Sequence, residues 1–151
     1  MKTVLYIHGK GGNAAESTHY EKLFPDCKVI GLDYKTFSPW ETGKEIHEAV
    51  AGLKTDAESI ILIANSIGAF FSMNANLNGL IEKAYFISPV VNMEKLICDM
   101  MNWANVTEAE LEQRKNHSDR FWRRTFLGIL VLCKKSSSEL AGSDFDFIWR
   151  K

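Results

Sequence analysis

The sequence predicts an α/β fold, an open parallel sheet flanked by helices. Three observations carry that expectation. Short β-branched apolar runs alternate four times with stretches of helical periodicity. The runs are almost wholly apolar, as in strands buried on both faces. Two unusual turns, after Ile7 and after Ala64, fall at the carboxyl ends of strands, where sites form in such sheets.

Taken in order, residues 3–7 (TVLYI) read as a first strand and His8-Gly9-Lys10-Gly11-Gly12-Asn13 as a glycine-rich turn. Residues 14–24 read as a helix stopped by Pro25, and residues 28–34 as a second strand. Residues 40–53 form a helical pattern with Ile46, Ala49, Val50 and Leu53 on one face. Residues 59–64 (SIILIA) are the most apolar strand, residues 67–77 a helix, and residues 83–87 (KAYFI) a fourth strand broken by Ser88-Pro89. Met93, Leu96, Ile97, Met100 and Met101 line one face of a further helix. Thr107 then reads as an N-cap, Glu110 completing a capping box and Val106 facing Leu111 as a staple. Crossover connections in such a sheet are right-handed.

Composition narrows the function classes. A chain of 151 residues suits one domain with a real core. A formal net charge of −1 supplies no field to recruit nucleic acid or an anionic membrane. No apolar run reaches transmembrane length, and residues 1–7 are too short for a signal peptide. Cys27, Cys98 and Cys133 are odd in number, widely spaced and without C-x-x-C, and read as reduced thiols of a cytoplasmic protein. No metal and no organic cofactor is expected.

The corner at Asn65-Ser66-Ile67-Gly68 raises the chemical question. A strand turning sharply into a helix needs small residues beside the apex, here Ala64 and Gly68 around Ser66. That geometry lifts a serine hydroxyl above the sheet at a helix N-terminus, with the Ile67 amide aimed at an oxyanion. A second donor has to come from another loop, and Lys10 or Gly11 of the turn after the first strand is expected to give it. The bland alternative is that Ser66 only caps the helix. HGKGGN does not fit a phosphate loop: Lys10 precedes Gly11 and Gly12, and no Ser or Thr follows.

HGKGG after a first strand, together with ANSIG between a strand and a helix, resembles the α/β-hydrolase superfamily, and within it the small lidless serine hydrolases. The resemblance covers about residues 2–113. It implies Ser66 as nucleophile, the Ile67 amide and a Lys10 or Gly11 amide as oxyanion hole, and His8, Gly9, Gly12, Ala64 and Gly68 as turn-forming residues. It implies a small-molecule acyl substrate, and a triad Asp and His later in the chain. One departure is Ala64, where the G-x-S-x-G motif has glycine. His19 and His47 are expected to be solvated helix residues, Asp33 a turn residue, and Trp40 and Trp103 packing residues.

The tail reads differently. All five arginines fall in the last 38 residues, and net charge changes from −5 over residues 1–114 to +4 over residues 115–151. His117, Asp119, Asp144 and Asp146 follow no convincing strand, and no histidine follows Asp144. Codons can be chosen so that residues 117–151, read one base later, give a helical stretch, a proline and a strand. Residues 1–114 are therefore expected to be the N-terminal part of the hydrolase-like fold, and residues 115–151 an atypical basic tail, out of frame. On that expectation the sheet is incomplete at its C-terminus, activity is low or absent for want of a base, and the chain self-associates through an exposed strand edge. A catalytically dead binding module of the same fold is the alternative.

Overall fold

A computed structural model describes residues 1–107, 109 and 110. Two compact units divide the chain, Met1–Val91 and Asn92–Lys151.

The first unit is built on four parallel strands, β1 (Thr3–Ile7), β2 (Lys28–Leu32), β3 (Ile60–Asn65) and β4 (Lys83–Ile87), in spatial order β2-β1-β3-β4. Register pairs Leu5 with Ile30 and Leu62, and Ile63 with Tyr85. β1 is central and buried along its whole length. Helices α1 (Pro39–Lys54) and α2 (Ile67–Met73) and a 3-10 segment (Ala14–Leu23) connect the strands.

Right-handed crossovers fix the layers. The chain steps from β1 outward to β2, then reverses across β1 to β3 and β4, so the first connection lies on one face and the later two on the other. The side chains agree. Val4, Tyr6 and Ile63 form one cluster with Tyr20 and Phe24. Leu5, Ile7 and Leu62 form the other with Ile46 and Val50 of α1 and Phe71 of α2. The reversal makes the carboxyl ends of β1 and β3 a topological switch point, where a crevice opens in sheets of this kind.

Several elements differ from expectation. Residues 14–23 wind as 3-10 helix, with Ser17 buried, Tyr20 half-buried and Leu23 70% exposed. Gly31 lets this segment sit on β2: a Cβ there would lie 2.0 Å from the Ala14 carbonyl oxygen. β2 ends at Leu32 because Asp33 and Tyr34 turn to other partners. α2 ends at Met73, where the Asn74 carboxamide donates to the Phe70 carbonyl at 2.7 Å and Asn76 takes a positive φ of 49°. Trp40 and Trp103 are not packing residues; they are 49% and 80% exposed. Trp40 instead helps line a cavity of about 460 Å³ with His47 and Asn76. Nor is His47 simply solvated, because its half-buried Nδ1 donates to the carbonyls of Ala75 and Asn76 at 3.0 and 3.2 Å.

In the second unit α3 (Met93–Trp103) is capped by Asn92, whose side chain accepts from the Lys95 amide at 2.8 Å. Thr107 and Glu110 form the expected capping box, the Glu110 amide donating to Thr107 Oγ1 and the Thr107 amide to Glu110 Oε2. Leu111, the staple partner, lies outside the described residues.

Candidate active site

Ser66 sits between β3 and α2 with φ 52° and ψ −117°. Non-glycine residues rarely adopt that conformation, and holding one there costs about 1–3 kcal/mol. Four bonds hold the corner. The Ser66 amide donates to the Ile87 carbonyl at 2.9 Å, and the Ser66 carbonyl accepts from Ala69 and Val90 at 3.2 and 3.3 Å. One turn on, Ser72 Oγ donates to the Gly68 carbonyl at 2.7 Å. The Ser66 side chain makes no capping bond to α2. Helix capping therefore does not explain this serine.

Ile67 opens α2, so its N–H belongs to the first-turn amides that have no carbonyl partner within a helix. The glycine loop after β1 meets the same corner. A Cβ on Gly9 would come within 3.3 Å of Ser66 Cβ. The Gly12 amide donates to the Gly9 carbonyl at 3.2 Å, closing a four-residue turn with Lys10 and Gly11 at its exposed tip. Gly11 stands third in that turn with φ 75°, a value that favours glycine. Gly68 is required for a reason different from crowding against Ala64. A Cβ there would lie 2.3 Å from the His8 carbonyl oxygen and 2.9 Å from that of Ile7. The start of α2 thus rests directly on the end of β1. Ala64 is fully buried, paired with Ile7 and Phe86.

His8 is buried and stacked on Tyr34, ring centroids 4.3 Å apart. Its Nδ1 lies 2.7 Å from the Gly9 carbonyl, which can only accept, so Nδ1 carries a proton. Its carbonyl accepts from the Tyr34 hydroxyl at 3.1 Å, and its Nε2 stands 3.7 Å from Asp33 Oδ1. Burial first, then the Glu16 carboxylate, pushes the Tyr34 phenol up to about 12, so it is neutral and a donor at neutral pH. Asp33 accepts from the Ala14 amide at 2.6 Å. These contacts shape the loop from its back. Of the loop residues it is Gly9 that meets Ser66, next to Ile67, while Lys10 and Gly11 stand at the exposed tip of the turn and His19 is exposed. His117, Asp119, Asp144 and Asp146 lie outside the described residues.

Two residues not singled out from the sequence also face this corner. Tyr6 donates to Glu16 Oε2 at 2.7 Å. The available signal was a tyrosine set between Leu5 and Ile7 in the first strand, whose hydroxyl needs a partner when buried.

Among the described residues no helix is long and apolar enough to cross a membrane, and no three His, Cys, Asp or Glu side chains cluster as metal ligands would.

No family model and no curated protein matches the sequence. Solved structures do match. The lipase BlEst2 of Bacillus licheniformis in its mature form shares 12% identity at a TM-score of 0.58, over 90% of this chain and 59% of that one. An epoxide hydrolase of Bacillus megaterium, in complex with an inhibitor, shares 12% identity at 0.53, over 94% and 57%. The fold is that of the α/β hydrolases. The chain spans less than three-fifths of the length of either of these two neighbours.

Proposed function

We propose that this chain carries the nucleophile half of a serine hydrolase acting on a small carboxylic ester, thioester or amide. Ser66 Oγ attacks the acyl carbon, giving its proton to a base. The carbonyl electrons move onto oxygen, where the Ile67 amide and the Lys10 or Gly11 amide receive them. Collapse expels the alcohol, thiol or amine and leaves the acyl group on Ser66; water then removes it. No metal or organic cofactor enters this scheme. The observation that carries the reading is the strained Ser66 backbone with its uncapped side chain, at the switch point and against Gly9. Two fold neighbours, one named a lipase and one an epoxide hydrolase, support hydrolysis as the broad reaction class.

A second reading is a binding module that keeps the crevice without the chemistry. It is favoured by the absence, among the described residues, of any imidazole hydrogen-bonded to Ser66. A fluorophosphonate probe separates the two. Covalent labelling of Ser66 that disappears in Ser66→Ala supports the hydrolase. An unlabelled but folded chain supports the binding module.

A further inference from the structure

Tyr6 carries a hydroxyl in the middle of β1, and strand alternation sets it beside Ile63 and Asn65 on the face covered by the 3-10 segment. Its hydroxyl donates to Glu16 Oε2 at 2.7 Å, and the Asn65 side chain acts on the same hydroxyl. Asn65 is the residue immediately before Ser66. Glu16 in turn lies against the glycine loop. A Cβ on Gly12 would fall 2.7 and 3.0 Å from its two carboxylate oxygens. Asn65 Nδ2 would lie 3.6 Å from a Cβ on Gly9, at the other end of that loop. One hydroxyl thus stands between the nucleophile corner and the loop expected to supply the second oxyanion donor. Burial, followed by Glu16, holds the phenol well above the ordinary tyrosine range, so at neutral pH it remains a donor.

We propose that Glu16, acting through Tyr6, is a positioning residue that fixes the Gly9–Gly12 loop relative to Asn65 and so sets the spacing between the loop amides and Ser66. The inference rests on the reading of Ser66 as nucleophile. Neither Glu16 nor Tyr6 touches the reacting atoms. Oxyanion donors act only when held at hydrogen-bond distance from the developing charge, and a loop built of glycines has little stiffness of its own.

The test uses the full chain and three variants, Tyr6→Phe, Glu16→Ala and Glu16→Gln. Amide hydrogen exchange is followed in peptides covering residues 8–16 and 64–70, with residues 28–57 as reference. Glu16→Ala and Tyr6→Phe are expected to speed exchange in both test stretches by about tenfold, the scale of one charge-assisted hydrogen bond, and to leave the reference unchanged. Glu16→Gln keeps an oxygen that accepts from Tyr6, and is expected to restore most of the protection. In fluorophosphonate labelling, the maximal rate is expected to fall by about tenfold in Glu16→Ala with the half-saturating concentration unchanged. Unchanged exchange in Glu16→Ala, a uniform rise across the chain, or Glu16→Gln behaving like Glu16→Ala overturns the inference. If the wild-type chain is not labelled at Ser66, the functional reading falls, while the exchange data still decide the role of Glu16.

Discussion

Two strand-to-loop corners meet at the crevice, and they handle backbone strain in opposite ways. After β1 the left-handed conformation is given to Gly11, φ 75°, which adopts it without penalty. After β3 it is given to Ser66, φ 52°, which adopts it at a cost. On the proposed reading the first corner contributes backbone amides to the crevice. The second is the reverse case: a hydroxyl is presented and the strain is retained, held by the bonds from Ser66 to Ile87, Ala69 and Val90. Strain kept where glycine would relieve it is what the proposed role of the Ser66 side chain accounts for.

Substitutions can break this contrast. The largest effect is expected at Gly68, where the two corners touch. Gly68→Ala places a methyl 2.3 Å from the His8 carbonyl oxygen, and a loss of about 3 kcal/mol or more in urea unfolding is expected. Gly11→Ala meets nothing within 4 Å, so only the conformational penalty of about 1 kcal/mol is expected there. A similar loss at both positions would show that the corners are not in the close contact described.

Ser66→Gly sharpens the comparison. It is expected to raise stability by about 1 kcal/mol by relieving strain, while removing all covalent labelling. A destabilised Ser66→Gly chain would show that the serine side chain supports the fold.

A third corner, after β2, uses a side chain to satisfy the backbone. Glu45 accepts from the Lys35 and Thr36 amides at 2.8 and 2.9 Å and from the Thr36 hydroxyl. Burial works to raise its pKa, but the Thr36 hydroxyl and the two amides outweigh burial and hold the carboxyl below the usual 4.5. A depressed folded pKa gives stability that is present above the unfolded value and lost as pH falls through the folded one. Glu45→Gln is therefore expected to cost about 1 kcal/mol at pH 7 and to shrink the acid loss of stability below pH 4.5. Identical acid limbs in wild type and variant would contradict this. At the alkaline end the sign reverses. The raised Tyr34 phenol favours the fold below pH 10, and that contribution is lost as pH rises from 10 toward 12. Tyr34→Phe is expected to flatten that limb, as read by circular dichroism.

The smallest effect concerns β4, an edge among the described residues, where Tyr85, Phe86 and Ile87 are 41%, 40% and 39% exposed. Pairing of this edge with a second copy is expected to make the sedimentation coefficient rise with concentration, and Ile87→Lys to suppress that rise.

Much of the fold was legible because apolar strands and turn chemistry are local signals. β4 and the start of α2 fall where the sequence places them. The 3-10 winding of residues 14–23 was not legible, since it follows from the close seat of Ala14 on Gly31 of β2. The corner around Ser66 could be read from spacing, but the reason for Gly68 could not. That reason is a carbonyl sixty positions away in sequence, brought there by the parallel pairing of β1 and β3. Glu16 was hidden for the same cause, as its partner Tyr6 lies on another element.

The most direct measurement is to trap the acyl enzyme. The chain is mixed with p-nitrophenyl acetate, quenched in acid and mapped by peptide mass. The expected result is one acetyl group on Ser66, formed with an equivalent of nitrophenol and absent from Ser66→Ala and from the urea-unfolded chain. Acetylation confined to lysines, or an equal yield on the unfolded chain, would contradict the reading of Ser66 as a nucleophile made reactive by the fold.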